Sequence, residues 1–505
     1  MTREESLQFV RYALPSARRA TNGGRLLLVP LSQVRSFARL AVGHTNQHFS
    51  GLTAAIALKY AGHDVLVLEK EATLGRSDVI PRAGIRLPPN GCKVLFDWGL
   101  EDALRARSIA GEGFTAWKYQ GLEGERDFLG THRWPPELLT DAHGDFLQLL
   151  HKDLLQVLYD AALAAHTIPK GSNGSPVVIR FNAEIIDSDL SDASSPSVTL
   201  SSGDVLHANV IIGADGARGH FRQKLLAEEN QDTDADVPRG LAVYTATIPK
   251  ARALTEPAIA KLYDYPQSKM VTFWVGPNRG AQVFVAGREQ GLTFWVYTPD
   301  SDQDGSWTEP SERPLTEVLG DCDPLIERLA QLATSPATCV QIKNSHHLES
   351  WVSSSSNVVL LGEAAHPFPT VSLHTYSIAI EDGAFIGKIF SHTRNASRIR
   401  EFMNAFEEVR KPRCSHIYQS EKTYIDVMAL PDSPMQQARD SAMRANDAAG
   451  RNLMDSGDED SLQTMWDDMR MVFDYHPADA ADDWWMAWGR LRSLSEARND
   501  LEDFS

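Results

Sequence analysis

The sequence predicts an α/β protein built in three layers, interrupted by an antiparallel sheet and closed by a helical C-terminal region. Three observations predict it. An Ala-rich helix leads into a short apolar strand between Gly51 and Glu69, and aromatic strands without intervening helices fill 241–297. A second apolar strand, Val358–Leu361, then precedes another helix. Helix–strand units at both ends, with strands alone between them, describe a parallel Rossmann-like sheet that the chain leaves and rejoins.

Each element has a local cause. Gly51–Ala61 suits a helix, with Gly62 as its C-terminal stop. Val65–Leu68 is apolar throughout, as in a strand buried on both faces of a parallel sheet, and Glu69 stands at its end. Residues 81–165 read as loops and helices, with an amphipathic helix over Asp153–Leu163. Strands follow at Val177–Phe181, Ser197–Leu200, Val205–His207 and Val210–Gly213, the turn Ser201–Asp204 making the middle pair a hairpin. Leu241–Ile248, Met270–Val275, Gln282–Gly287 and Leu292–Tyr297 form the antiparallel sheet, with turns such as Gly276–Gly280 between them. A helix over Ile378–Ser391, starting near Tyr376, resumes the first sheet's layers, and helical, increasingly acidic sequence runs on from Asn395. There Trp484, Trp485 and Trp488 read as a packing cluster. The divisions are 1–42, an atypical extension; 43–235 and 341–394, one interrupted domain; 236–340, the antiparallel insert; and 395–505, the helical region.

Composition narrows the function. The 505 residues carry 49 Lys and Arg against 67 Asp and Glu, a net charge of −18. That opposes phosphate-led binding of nucleic acid and attraction to anionic lipid. No apolar run approaches the ~18 residues of a membrane span. Four cysteines without a CxxC pair exclude a disulfide scaffold and a thiolate zinc cluster. The balance is that of an intracellular, cytoplasmic protein handling a small molecule. Residues 1–42 differ, with seven arginines from Arg3 to Arg39 and only Glu4 and Glu5 as acids. They read either as a mitochondrial presequence or as an extension outside the fold.

Three motifs carry chemistry. Glu69 lies 18 residues beyond Gly51, the spacing of an acid that accepts ribose hydroxyls after the last glycine of a pyrophosphate-binding turn. Gly213-Ala-Asp215-Gly216 follows a buried strand, where an Asp can accept a hydroxyl and glycines admit close approach; an ordinary Asp-Gly turn has the same look. Gly362-Glu-Ala-Ala-His-Pro367 leaves another strand and leads to a helix N-terminus suited to an anion.

Together with Ile380-Glu-Asp382, and with Ala83-Gly-Ile-Arg-Leu-Pro-Pro-Asn90 before Trp98-Gly-Leu100, these segments resemble the three fingerprints of the class A FAD-dependent aromatic hydroxylases. These are flavoprotein monooxygenases of the salicylate and para-hydroxybenzoate hydroxylase kind. The resemblance runs from Gly51 to Pro412. It implies an FAD-binding three-layer domain with an inserted substrate domain, NAD(P)H as co-substrate, and hydroxylation of a phenol through a flavin C4a-hydroperoxide. The partners would be a small aromatic substrate and O2, with a second copy of the chain, in a homodimer, as a further candidate. By position it implies cofactor contacts at Gly43, Gly51, Glu69, Arg82, His151, Asp215, Gly216, Gly362, Glu363, Ala364, Ala365, His366 and Pro367. No catalytic residue stands out, and no metal is expected: the pairs His346–His347 and His366 with His374 lack further ligands.

The departures define the alternatives. Gly43 to Gly51 spans nine residues where GxGxxG spans six, and the middle glycine is missing. The family's G-D is Gly362-Glu363, its glycine-rich turn is Thr370-Val-Ser-Leu-His-Thr375, and His151 stands where an arginine is typical. Sequence before Gly51 is therefore expected to replace the family's first strand, with His44–Ser50 irregular. A non-catalytic or FAD-impaired relative, and an epoxidase or oxidative decarboxylase on the same scaffold, stay open. Phe273, Trp274, Phe294, Trp295 and Tyr297 are divided by strand alternation between a phenol pocket and the core.

Overall fold

Two compact units divide the chain, Met1–Arg35 and Ser36–Ser505. The computed structural model describes residues 49–489, except 75–83, 122–124, 165–176, 231–236, 288–290, 300–304, 306–308, 334–336, 345, 370–371 and 456–458. The first unit, and with it the expected extension, Gly43 and Arg82, lies outside the described residues.

Helix α1 (Phe49–Tyr60) ends two residues before Gly62, whose φ of +80° turns the chain back. The expected irregular stretch thus stops short: Phe49 and Ser50 are already helical. Strand β1 (Leu66–Leu68) returns along α1 and pairs in parallel with a later strand, Val178–Arg180.

The reading of 81–165 as loops and helices is corrected. This stretch holds β2 (Gly84–Leu87), β3 (Ile109–Gly111), β4 (Gly113–Lys118), β5 (Phe128–Arg133) and β6 (Phe146–Leu150) beside α2 (Pro89–Asp97) and α3 (His151–Leu163). β2 and β3 flank β6, while β4 and β5 extend the aromatic sheet. Their short length and scattered polar residues hid the period-2 pattern. In β2, Pro88-Pro89 also obscures the strand end, because proline suits both a turn and a first helical position.

Beyond β7 (Val178–Arg180) come β8 (Ile185–Asp189), β9 (Ser197–Leu200) and β10 (Val205–His207), where Thr199 faces Val205 across the expected hairpin. β11 (Ile211–Gly213) leads to α4 (His220–Glu228). Strands β12 (Val237–Ile248), β13 (Met270–Gly276), β14 (Arg279–Val285), β15 (Leu292–Thr298) and β16 (Thr338–Asn344) join β4 and β5 in one seven-stranded sheet, ordered β16-β12-β15-β14-β13-β4-β5. Its pairs are antiparallel as expected, save β13 with β4, which is parallel.

β17 (Val358–Leu360) returns beside β11 in parallel, with Gly213 opposite Leu360. Helix α5 (Thr375–Ile389) follows, then α6 (Ile399–Met428), α7 (Pro434–Ala448), α8 (Glu459–Phe473) and α9 (Pro477–Trp484). The Trp cluster is only partly one. Trp484 is buried, Trp485 stacks at 4.8 Å on His392, and Trp488 is 57% exposed. Helices α1 and α5 run side by side at backbone contact. A Cβ on Gly383 would lie 2.4 Å from Thr53 Oγ1, and one on Gly387 would lie 2.3 Å from Ala57 Cβ.

Candidate functional site

Two places on the molecule concentrate chemistry. The first is the carboxyl edge of the parallel strands. Leu361 N donates to Gly213 O at 2.9 Å, so the turns after β11 and β17 leave the edge side by side. Gly216 (φ +79°) and Gly362 (φ +60°) both take conformations that favour glycine. A Cβ on Gly362 would come within 2.6 Å of Ser50 Oγ, which puts the first turn of α1 against this loop. Phe49 meets Tyr376 edge-on at 4.9 Å, so α1 and α5 begin together. Two helix N-terminal turns, each at the partial positive end of a helix dipole, therefore lie close to the Gly362 turn.

Around this edge the expected residues fall into place unevenly. Gly51 is buried in the first turn of α1. Glu69 is buried at the end of β1, its Oε1 accepting from Glu71 N at 2.8 Å. Asp215 Oδ2 accepts from Phe221 N at 2.8 Å at the start of α4, and burial pushes the carboxyl up to about 7. Glu363 is half-buried, whereas Ala364, Ala365, His366 and Pro367 are buried. The carbonyls of Ala364 and Ala365 accept from Arg222 at 2.9 and 3.4 Å. His151 opens α3 with its ring 4.8 Å from Phe49 and 5.9 Å from Tyr376, both edge-on.

Beneath the Gly362 loop lies a buried ionic network. Asp382 Oδ2 accepts from Gly362 N at 2.9 Å and pairs with His366 Nε2 at 2.6 Å. Arg410 reaches Asp382 at 2.9 Å and Glu381 at 2.7 Å; Arg413 and Asn90 also bind Glu381, at 2.7 and 2.6 Å. Burial opposes a charged His366, but Cys414 and Asp382 beside it prevail and push the imidazole up to about 10. His366, Asp382 and Cys414 bring their ligand atoms within 4.8 Å of one another. Arg410 already neutralises that carboxylate, so the arrangement is that of an ion-pair core.

The second place is a cavity of about 540 Å³ between the seven-stranded sheet and helices α6 and α8. Phe273, Trp274 and Tyr297 line it, whereas Phe294 and Trp295 do not. Strand alternation alone does not give this division, since Trp295 and Tyr297 share one face of β15 while Phe273 and Trp274 point to opposite faces of β13. Arg86, from β2, lies over the Phe273 ring at 5.3 Å and faces Tyr297, Tyr424 and Glu421. Glu421 Oε1 accepts from His374 N at 3.0 Å, tying the cavity wall to the end of the loop that begins at Gly362. Burial raises the Glu421 carboxyl and pushes the Tyr424 hydroxyl up to about 12. It pulls His374 down to about 3, keeping that ring neutral. Sequence reasoning did not single out Arg86, Glu421 and Tyr424. The available signal was the i, i+4 recurrence of His416, Ser420, Tyr424 and Met428, all on one face of α6.

Comparison with known proteins decides the family. The model of the family described as "FAD binding domain" matches residues 49–421. The chain belongs to the FAD binding domain family. Among relatives of this FAD-binding protein are the FAD-dependent monooxygenase OpS4 of Beauveria bassiana (strain ARSEF 2860), 24% identical, the match covering 78% of this chain and 86% of the relative. Hispidin-3-hydroxylase of Neonothopanus nambi is 27% identical over 73% of this chain and 84% of its own. Two solved structures share the fold. CtdE in complex with FAD and a substrate has a TM-score of 0.68 at 16% identity, covering 90% of this chain and 99% of that one. A salicylate hydroxylase substrate complex has 0.65 at 15%, covering 89% and 98%. Among the described residues no helix is long and apolar enough to cross a membrane.

Proposed function

We propose that this protein is an FAD-dependent monooxygenase that hydroxylates an aromatic small molecule at the expense of NAD(P)H and O2. The observation that carries this reading is the shared edge, where Asp215-Gly216 and Gly362-Glu363 emerge together beside two helix N-termini. These residues suit FAD. The paired N-termini match a pyrophosphate, and Gly362 is a cradle that any Cβ would fill. A buried Asp215 carboxyl held near 7 gains from a hydroxyl donor, as a ribityl or ribose group supplies. Glu69 would take the adenosine ribose. Glu363, Ala364, Ala365, His366 and Pro367 would form the flavin-side loop, with His151 nearby.

When bound, FAD supplies hydride acceptance and oxygen activation. This chain's residues do the rest. The Asp382–Arg410 network fixes the Gly362 loop through its own N–H. Arg86 favours the ionised form of an acidic hydroxyl placed near it, which makes the ring more electron-rich, and Glu421 and Tyr424 orient that end. The apolar walls of the cavity exclude water from the reacting ring.

Purified protein should be yellow, with flavin absorbance near ~450 nm, and a phenolic substrate should stimulate NAD(P)H oxidation and gain one oxygen. Folded protein that binds no added FAD would sink the reading in favour of an FAD-impaired relative. Oxygen gained at an alkene would favour the epoxidase.

A further inference from the structure

The cavity's shape and the distribution of its polar groups say more about the substrate than the family does. At roughly 30 Å³ per water, 540 Å³ corresponds to about 18 water volumes, in the range of sites that enclose ligands of several rings. The lining is divided. Arg86, Tyr297, Glu421 and Tyr424 gather at one end, close enough to shift one another's protonation. The other cation on the wall, Arg279, is bound to the Val318 and Leu319 carbonyls at 3.0 and 2.9 Å.

Away from that end the wall is mostly apolar and rich in methionine, with Met428 from α6, Met454 from the loop before α8, and Met465 and Met469 from α8; Ser461, Thr464 and Asp468 are polar members of the α8 face. Thioether chains adapt to irregular apolar shapes at little cost. All four methionines lie beyond residue 421, where the match to the family model ends. The methionine-lined part of the wall is therefore built by the C-terminal helices, beyond the segment that the family model matches. In α8 the lining residues Ser461, Thr464, Met465, Asp468, Met469 and Val472 follow a helical period, so one face of that helix is turned to the cavity.

We propose that the substrate is a bulky, predominantly apolar phenol, seated with its hydroxyl at Arg86 and its hydrocarbon body along the methionine-lined faces of α6 and α8. This rests on the reading of the protein as an aromatic hydroxylase. A small benzoate or a polyanionic aromatic does not suit the site. One acidic group would meet Arg86, while any further charge would face thioethers and, on α8, Asp468.

The test uses the full-length, FAD-loaded protein and three probes of rising apolar size: phenol, 4-phenylphenol and 4-nonylphenol. Dissociation constants come from the change in flavin absorbance and, independently, from the shift in melting temperature. Burial of each methylene strengthens binding roughly threefold or more, so 4-nonylphenol should bind at least a hundredfold tighter than phenol. Met469→Trp, which fills the cavity, should weaken 4-nonylphenol at least tenfold and phenol less than threefold. Met465→Phe serves the same purpose should Met469→Trp fail to retain FAD. Equal affinities across the three probes, or a filled cavity that leaves 4-nonylphenol binding unaltered, would overturn the proposal. The underlying function fails separately: tight 4-nonylphenol binding with no phenol driving NAD(P)H oxidation would leave the cavity assignment standing and remove the hydroxylase. Efficient turnover that is indifferent to probe size would do the reverse.

Discussion

The strand edge and the cavity are built in opposite ways. At the edge, each group sits on a turn directly after a short buried strand: Glu69 after β1, Asp215 after β11, Glu363 after β17. Under the proposed function, three or four consecutive residues would make each contact surface, with the strand fixing their direction. The cavity takes Arg86 from β2, Tyr297 from β15, His374 from a loop, Tyr424 from α6 and Met469 from α8. The first and last of these residues are 383 positions apart, and only tertiary packing joins them. On the proposed reading, cofactor recognition is local to each turn, whereas substrate recognition is assembled. Damage to one should leave the other readable, unless it strikes the ionic core beneath both.

The largest effect should come from that core. Arg410→Met leaves Glu381 and Asp382 buried without their shared cation, at a cost of about 3–5 kcal/mol. For a chain of this length, at roughly 1 °C per kcal/mol, the melting temperature should fall by roughly 3–5 °C, read by circular dichroism. Both flavin retention and probe binding should suffer. A variant melting like the parent would show that the network carries no weight.

The same core makes stability depend on pH. The His366 pKa is raised to about 10 in the folded protein, above its ordinary 6.5. The folded state therefore holds a proton that the unfolded state releases, and this stabilisation is complete below about pH 6.5 and lost as pH rises toward 10. Chemical denaturation between pH 6.5 and 10 should show the decline, and His366→Asn should flatten it. An equally steep decline in His366→Asn would assign the effect to another group.

Two substitutions then separate the regions. Asp215→Ala leaves a cofactor hydroxyl unpaired at roughly 1–3 kcal/mol, weakening FAD about tenfold or more in a fluorescence titration. Arg86→Ala should weaken a phenol about tenfold, since a hydrogen bond to a charged group contributes about 1.5–3 kcal/mol, while flavin content stays at the parent level. If Arg86→Ala loses FAD, or Asp215→Ala keeps it and loses phenol binding, the division between edge and cavity is wrong.

How much of this was legible in the sequence follows from the same contrast. Val65–Leu68, Val210–Gly213 and Val358–Leu361 were readable because a strand buried on both faces must be apolar throughout, and the turns after them carry the chemistry. β4 and β5 were not readable: Gly113-Phe-Thr-Ala-Trp-Lys118 and Phe128-Leu-Gly-Thr-His-Arg133 mix polar with apolar residues. β4 is placed by pairing with β13, more than a hundred residues away, and β5 by pairing with β4. Arg86 was written inside a recognisable segment, but its meaning depends on Phe273 and Glu421, which no spacing connects to it. His132 shows the same limit. Buried and stacked at 4.9 Å on Phe114, it is pushed down to about 4 and is a neutral packing group, although its sequence neighbours suggest a surface strand.

The smallest effect tests the edge on its own ground. Glu69 and Asp215 both follow buried strands, yet their settings differ. Asp215 lies against the bare backbone of Gly219, where a Cβ would come within 2.0 Å of its Cγ. Burial raises its carboxyl to about 7, so ionisation there depends on partners. Glu69 is followed by the exposed Ala72 and Thr73, and its Oε1 already accepts from Glu71 N. When Glu69 is removed, water can reach both the freed N–H and the ribose from the rim. Glu69→Ala should therefore weaken FAD by only about threefold, equivalent to about 0.7 kcal/mol, the net value of an ordinary hydrogen bond. A tenfold loss in the same titration would make the two acids equivalent, and burial at the strand end, rather than access to water, would set the strength of each contact.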